Sequence, residues 1–243
     1  MAMLARKTAA MRRLWAQHGP YFVLRRSLCR VAFPYWGYTV FGRRRSFRFD
    51  GRSLNFFYHR YNTAWRNERT VEIPIALDAL TRTNAGHALE VGNVLRHYVP
   101  GIDITTVDKY EVAPGVLNAD VVDYRPDREF DTIVTISTME HVGWDEEPRD
   151  PDKVLVAIER LKTLLAPGGL LLVTVPVGYN AHLDDALENG RVGFDKVTYV
   201  ERLTQSGRWE ERAFPNVRHR TFNDPYPGAG SIAVCEFTRQ RAS

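Results

Sequence analysis

The sequence is poor in cysteine, and its two thiols, Cys29 and Cys235, stand far apart with no second thiol near either. Neither a disulfide framework nor a thiolate zinc site can be built from them, and a reducing cytoplasm is the expected setting. Acidic residues are missing from Met1–Phe49, which holds eleven Lys or Arg and no Asp or Glu. That segment also lacks a long apolar run. Its longest uncharged stretch, Val31–Gly42, is far short of the roughly 20 residues that a membrane-crossing helix needs. No signal-peptide cleavage pattern follows a continuous apolar core, and no internal repeat or low-complexity tract is found.

What the N-terminal segment has is positive charge and aromatic rings. It carries ten of the 28 aromatic residues, among them Trp15, Tyr21, Phe33, Trp36 and Phe41. Met3–Gln17 interleaves Arg6, Lys7, Arg12 and Arg13 with Leu4, Met11, Leu14 and Trp15, a basic amphipathic pattern stopped by His18-Gly19-Pro20. Tyr21–Val31 is a second such candidate. Two readings stay open: peripheral docking on an anionic membrane surface, with basic tips on lipid phosphates and rings at the interface, or an extension packed with its basic face in water. No nucleic-acid motif accompanies the charge, so no nucleic-acid partner is expected.

The rest of the chain is balanced in composition and long enough for one α/β domain with its own core. The expected organisation is a basic aromatic extension over 1–45, a hairpin and lid-like segment over 46–69, and the main domain over 70–243. Phe47 and Phe49 precede Asp50-Gly51, a favoured two-residue turn, and Leu54, Phe56 and Tyr58 follow in alternation. Tyr61, Trp65, Arg66 and Arg69 then cluster. Tyr61 and Arg66 are candidates for clamping a carboxylate or a sugar; the alternative is a structural knot around Glu68. Val71–Thr81 reads as a helix.

From His87 onward short apolar runs alternate with helical or loop segments, which predicts a doubly wound, mostly parallel sheet. Strands are expected at His87–Val91, Ile104–Val107, Ala119–Val122, Phe130–Ile136 and Leu170–Val175. Asp152–Leu165 shows helical spacing after Asp150-Pro151. After a long excursion, Trp209–Phe214 and Ser231–Thr238 are expected to close the sheet as an antiparallel pair.

The first of these strands ends in Leu89-Glu90-Val91-Gly92-Asn93. Val107-Asp108, Asn118-Ala119-Asp120-Val121, Phe130-Asp131-Thr132-Ile133-Val134 with Ser137-Thr138-Met139-Glu140-His141-Val142, and Leu165-Ala166-Pro167-Gly168-Gly169 follow in register. This order of motifs resembles the class I S-adenosylmethionine-dependent methyltransferases over about residues 70–238, and most of all bacterial members associated with polysaccharide biosynthesis. The resemblance implies a Rossmann-like, seven-stranded fold and S-adenosyl-L-methionine as cofactor. It implies that Asp108 takes the ribose hydroxyls, that Gly92 and Asn93 pass the methionine part with Glu90 near the positive sulfur, and that Asp120 and the Val121 N–H hold the adenine. Lys109 and Ser137 complete the expected cofactor-contacting set. The sequence departs from most members at Val94, where a second glycine is usual.

Two other readings compete. A strand, a glycine and an acid downstream also serve an NAD(P)-dependent oxidoreductase, although Val94 and His97 stand where a Gly-x-Gly-x-x-Gly turn needs small residues. A catalytically silent module that keeps the fold is the other. The exit of the fourth strand lacks the Asn/Asp-Pro-Pro-Tyr pattern used on planar amino groups, so transfer to a hydroxyl of a sugar, glycan or small molecule is expected. Histidine suits a general base at neutral pH, and His141 and His182 are the candidates. Tyr179, Asn180 and Asp184 are candidates for binding a polyhydroxylated acceptor. Small-molecule O-methyltransferases that bind a metal use an acid at the place of Ser137, so no metal is expected.

Overall fold

The computed structural model describes Trp36 and residues 45–204, 207–225 and 227–241, so Met3–Gln17 and Tyr21–Val31 lie outside the described residues. The chain divides into two compact units, Met1–Arg45 and Ser46–Ser243, and every strand and helix named below lies in the second.

β1 (Ser46–Phe49) and β2 (Arg52–Asn55) form a hairpin in which Phe49 pairs with Arg52. Its turn residues Asp50 and Gly51 are both left-handed, at φ 51° and 74°, as a two-residue turn matching the strand twist requires. Helix α1 (Arg69–Arg82) contains Pro74, which has no N–H to give the carbonyl of Thr70. That carbonyl takes the N–H of Phe57 at 3.0 Å, so the segment leaving the hairpin is tied to the first turns of α1.

The main sheet has eight strands among the described residues: β3 (Ala88–Val91), β4 (Thr105–Asp108), β5 (Val116–Asn118), β6 (Phe130–Ile136), β7 (Leu165–Pro176), β8 (Lys196–Arg202), β9 (Trp209–Arg212) and β10 (Ser231–Thr238). Their order is β5-β4-β3-β6-β7-β10-β8-β9. The five from β5 to β7 are parallel, and β10 lies antiparallel to both β7 and β8. The mostly parallel α/β class is as the sequence predicts. The strand order reverses beside β3, and the crevice outside the carboxyl ends of β3, β4 and β6 is where this topology places a ligand.

Three details differ from the sequence reading. Trp209 and Ser231 begin strands that do not pair, because β8 lies between them and bonds to both. β8 makes the main sheet eight-stranded where seven strands are expected, because Lys196, Glu201 and Arg202 make it look like a surface loop. Glu201 is nonetheless buried, answered by Arg220 Nε at 2.9 Å. β5 falls just before the expected Ala119–Val122, which follows it as loop and turn. Finally, β3 leads into a single 3-10 turn, Leu95–His97, and no α-helix separates β3, β4 and β5.

Two apolar layers cover the sheet. Successive β7 side chains point to opposite faces, so Leu171, Val173 and Val175 meet helices α2 (Lys153–Thr163) and α3 (Ala181–Glu188), while Leu170 and Leu172 meet α1 and the hairpin. α2 buries Val154, Ala157, Ile158 and Leu161, the spacing of one helical face. α1 does more than pack. Its Glu72, 0% exposed, accepts from Ser137 Oγ at 2.7 Å and Thr174 Oγ1 at 2.8 Å, and pairs with Arg69. No helix among the described residues is long and apolar enough to cross a membrane.

Glu72→Ala should leave Arg69 and two hydroxyls without their buried partner and cost about 3–5 kcal/mol. Denaturant unfolding followed by circular dichroism measures it. A loss below about 1 kcal/mol would show that the helix does not depend on this junction.

Candidate active site at the carboxyl edge of the sheet

A cavity of about 510 Å³ opens at the switch point, a size usual for small-molecule sites. Gly92, Asn93, Asp108, Lys109, Asp120, Val121, Ser137 and His141 line it together. Gly92 has φ +89°, and a Cβ there would collide with the Thr138 side chain. The glycine therefore lets the β3 loop lie against the exit of β6 and shape the cavity wall, where the sequence suggested direct approach of a ligand.

Asp108 anchors the opposite wall. Its Oδ1 accepts the N–H groups of Tyr110 and Glu111 at 2.8 and 2.7 Å, and its Oδ2 that of Asn93 at 3.2 Å. A carboxylate offers about four acceptor positions, so roughly one remains for a ligand. The bidentate grip expected of Asp108 alone is thus mostly taken by backbone. Glu111, in the same wall, supplies a second carboxylate; its Oε1 accepts from Asn93 Nδ2 at 2.8 Å and lies 3.3 Å from His97 Nε2. Tyr61 stacks on His97 with ring centroids 4.7 Å apart, and neither ring is part of the cavity lining.

At the far end, Lys109 and Lys153 alternate with Asp120 and Glu146. Lys109 Nζ is 2.9 Å from Asp120 and 2.8 Å from Glu146, and Lys153 Nζ is 2.6 Å from each. Burial alone would raise the Asp120 and Glu146 carboxyls, but hydrogen bonds from the two ammonium groups outweigh it and hold both below their usual range. Lys109 therefore serves first to fix Asp120.

His141 sits where β6 opens, in the 3-10 turn Met139–His141. Its Nδ1 lies 2.6 Å from Asp145 Oδ2, and the Tyr179 hydroxyl donates to the same oxygen at 2.6 Å. Burial pushes Asp145 up, yet Tyr179 and His141 together hold it below the usual carboxylate value. An ionised carboxylate only accepts, so Nδ1 carries the proton and Nε2 is left as the acceptor nitrogen. The Tyr179 ring meets the imidazole edge-on at 4.8 Å.

Other expected residues have structural tasks. Glu90 does not reach the cavity: it is wholly buried, and its Oε1 accepts the N–H groups of Val94 and Leu95 at 3.1 and 2.7 Å, bracing the turn after β3. Asn180 caps α3 through the N–H groups of His182 and Leu183. Asp184 Oδ2 takes the Gly178 N–H at 2.9 Å, and burial pushes its carboxyl up to about 6. His182, the second base candidate, lies outside the cavity lining with Nε2 2.9 Å from Asp152. Arg66 lines a different cavity. The sequence reading missed Glu111, Asp145 and Glu146; for Asp145 a signal existed, since it stands four residues after His141, a separation at which side chains in a turn can meet. Among the described residues no group of three or more His, Cys, Asp or Glu is placed to hold a metal ion.

No protein-family model matches the chain, and no curated protein does. Among solved structures, the N-methyltransferase NodS of Bradyrhizobium japonicum in complex with S-adenosyl-L-homocysteine is 14% identical, with 71% of this chain and 87% of that one covered and a TM-score of 0.44. The sugar N-methyltransferase KedS8 of Streptoalloteichus is 12% identical, covering 76% and 94% with a TM-score of 0.37. The 1,6-didemethyltoxoflavin-N1-methyltransferase of Burkholderia thailandensis is 14% identical, covering 80% and 99% with a TM-score of 0.40. Overlaps this loose carry no ligand or acceptor onto the present chain.

Burial raises Glu90 from 4.5 to about 7, against the pull of the Leu95 and Val94 N–H groups. The folded chain thus holds this proton more tightly than the unfolded one. The stability it contributes is full below pH 4.5 and is lost as the pH rises through about 7. Glu90→Gln keeps the acceptor oxygen and should flatten that slope, by on the order of 3 kcal/mol across the interval. Unfolding free energies of both proteins at stepped pH measure the difference, and parallel profiles would contradict it.

Proposed function

We propose that the chain is an S-adenosylmethionine-dependent methyltransferase acting on a hydroxyl of a sugar, glycan or other small molecule. One observation carries this reading: the cavity at the switch point is acidic. Asp108, Glu111, Asp120 and Glu146 line it, four carboxylates against the two ammonium groups of Lys109 and Lys153. A sulfonium is favoured by that charge, whereas the pyrophosphate of a dinucleotide is repelled. Nor does an α-helix begin after β3 to present its N-terminus to a pyrophosphate. This favours methyl transfer over the oxidoreductase reading.

When bound, S-adenosylmethionine supplies an electrophilic methyl group. The chain's own groups then have distinct tasks. Asp108 and Glu111 share the ribose hydroxyls, Asn93 stands along the methionine part, and Asp120 with Val121 meets the adenine edge. His141, oriented by Asp145, takes the proton from the acceptor hydroxyl at Nε2. Much of the rate in such a displacement comes from holding the oxygen in line with the methyl carbon. The base matters because a neutral hydroxyl is a poor nucleophile, and the His141–Asp145 pair is what favours a hydroxyl over an amine. A glycan or lipid-linked acceptor, and docking of the basic residues 1–45 on an anionic membrane, extend the same reading from the sequence. Their check is sedimentation of the full-length chain with anionic vesicles, which replacement of the Lys and Arg before Ser46 by Gln should abolish.

Calorimetry should give heat with S-adenosylmethionine and S-adenosylhomocysteine and none with NAD. Silence with both sulfur ligands would remove the proposal, and binding without any turnover would favour the catalytically silent module. Asp108→Ala and Glu111→Ala should each weaken cofactor binding about tenfold or more. His141→Ala should spare binding and slow turnover by about 10²–10⁴, and Asp145→Asn should slow it less. The reverse pattern would count against these assignments.

A further inference from the structure

Tyr179 stands in the loop between β7 and α3, and that loop grips the turn carrying His141 at two points. Asn180 Nδ2 donates to the Glu140 carbonyl at 3.0 Å, just before the histidine, and the Tyr179 hydroxyl donates to Asp145 Oδ2 at 2.6 Å, just after it. The loop is itself held. Asp184 accepts the Gly178 N–H, Asn180 caps α3, and the Phe222 ring meets the Tyr179 ring edge-on at 5.1 Å.

The pair that orients His141 needs such support. The side chains of His141 and Asp145 are 47% and 44% exposed, and a contact so open to water holds little by itself, because water screens it and both side chains lose freedom in making it. Among the described residues, the side chains that bond the Asp145 carboxylate are those of His141 and Tyr179. Without Tyr179 the carboxylate would be left to that weak contact alone.

The tyrosine suits the task. Burial, and then the hydrogen bond to Asp145, push its hydroxyl above the ordinary value, so it remains a donor. Its ring also lies edge-on to the imidazole at 4.8 Å, and hydroxyl and ring together restrain the pair. Near the other nitrogen, Glu140 Oε1 is 3.6 Å from Nε2, beyond hydrogen-bond range. The proton of the neutral imidazole is therefore placed from the Asp145 side.

We infer that Tyr179 is a positioning residue: it holds Asp145 against His141 Nδ1, keeps the proton of the neutral imidazole on that nitrogen, and so leaves Nε2 as the acceptor. Its hydroxyl proton is committed to Asp145, in place of the acceptor contact that the sequence suggested. The use of Nε2 as a base rests on the methyl-transfer reading, whereas the position of the proton does not.

Proton–nitrogen correlation NMR of the isotope-labelled full chain, at a pH where His141 is neutral and with His141→Asn to assign the signal, reads that position directly. The native chain should carry the proton on Nδ1. Tyr179→Phe, which keeps the ring and its packing on Phe222, should lose the Nδ1 proton to Nε2 while S-adenosylhomocysteine affinity holds. Asp145→Ala should give the same change, and adding Tyr179→Phe to it should change nothing more, because a residue acting through another is not additive with it. An Nδ1 proton that persists in Tyr179→Phe, or a further change in the double variant, would overturn the inference. The expected changes in a chain that binds neither S-adenosylmethionine nor S-adenosylhomocysteine would support the positioning role and remove the methyl-transfer reading.

Discussion

The buried carboxylate of Glu72 is the junction on which the rest of the molecule depends. It joins α1 to the ends of β6 and β7 through Ser137 and Thr174 and is itself held by Arg69. An ionic group so deep is stable only if every oxygen is answered, so the junction fixes α1 against the carboxyl edge of the sheet. Ser137 therefore keeps its left-handed conformation, φ 41°, at the mouth of β6. The turn that carries His141 follows directly from it.

The same cluster is short of positive charge. Glu68, Glu72 and Glu140 are all buried, with Arg69 among them. Burial raises Glu140 well above the ordinary carboxylate range, with Glu72 and Glu68 adding to it. Glu140 sits behind His141, its Oε1 3.6 Å from Nε2, beyond hydrogen-bond range. The acid that acts on His141 is Asp145, on the exposed side of the ring, which leaves the acceptor nitrogen available.

Residues whose position is set by the end of a strand were legible in the sequence as lining one cavity. Gly92 follows the apolar strand β3 directly, Asp108 ends β4, and His141 lies in the turn just past β6, so the carboxyl edge of the parallel sheet gathers them. Residues whose role is set by distant partners were not. Glu72 meets Ser137 and Thr174 across 65 and 102 positions, which no local pattern records. β8 was hidden for the same reason, since its charged end is neutralised by Arg220 from a later segment. Asn180 and Asp184 were read as acceptor contacts because polar loop residues look alike until the backbone groups they cap are known.

The cavity at the carboxyl edge of the sheet carries four carboxylates, Asp108, Glu111, Asp120 and Glu146, of which Asp120 and Glu146 are paired with Lys109 and Lys153. The claim on which everything functional rests is that the acidic cavity is the cofactor's. A crystal structure of the full chain grown with S-adenosylhomocysteine tests it most directly. Density for the ligand is expected in the cavity at the carboxyl edge, with its ribose hydroxyls on Asp108 and Glu111 and its sulfur facing His141. Density elsewhere, or an empty cavity at saturating ligand, would contradict it.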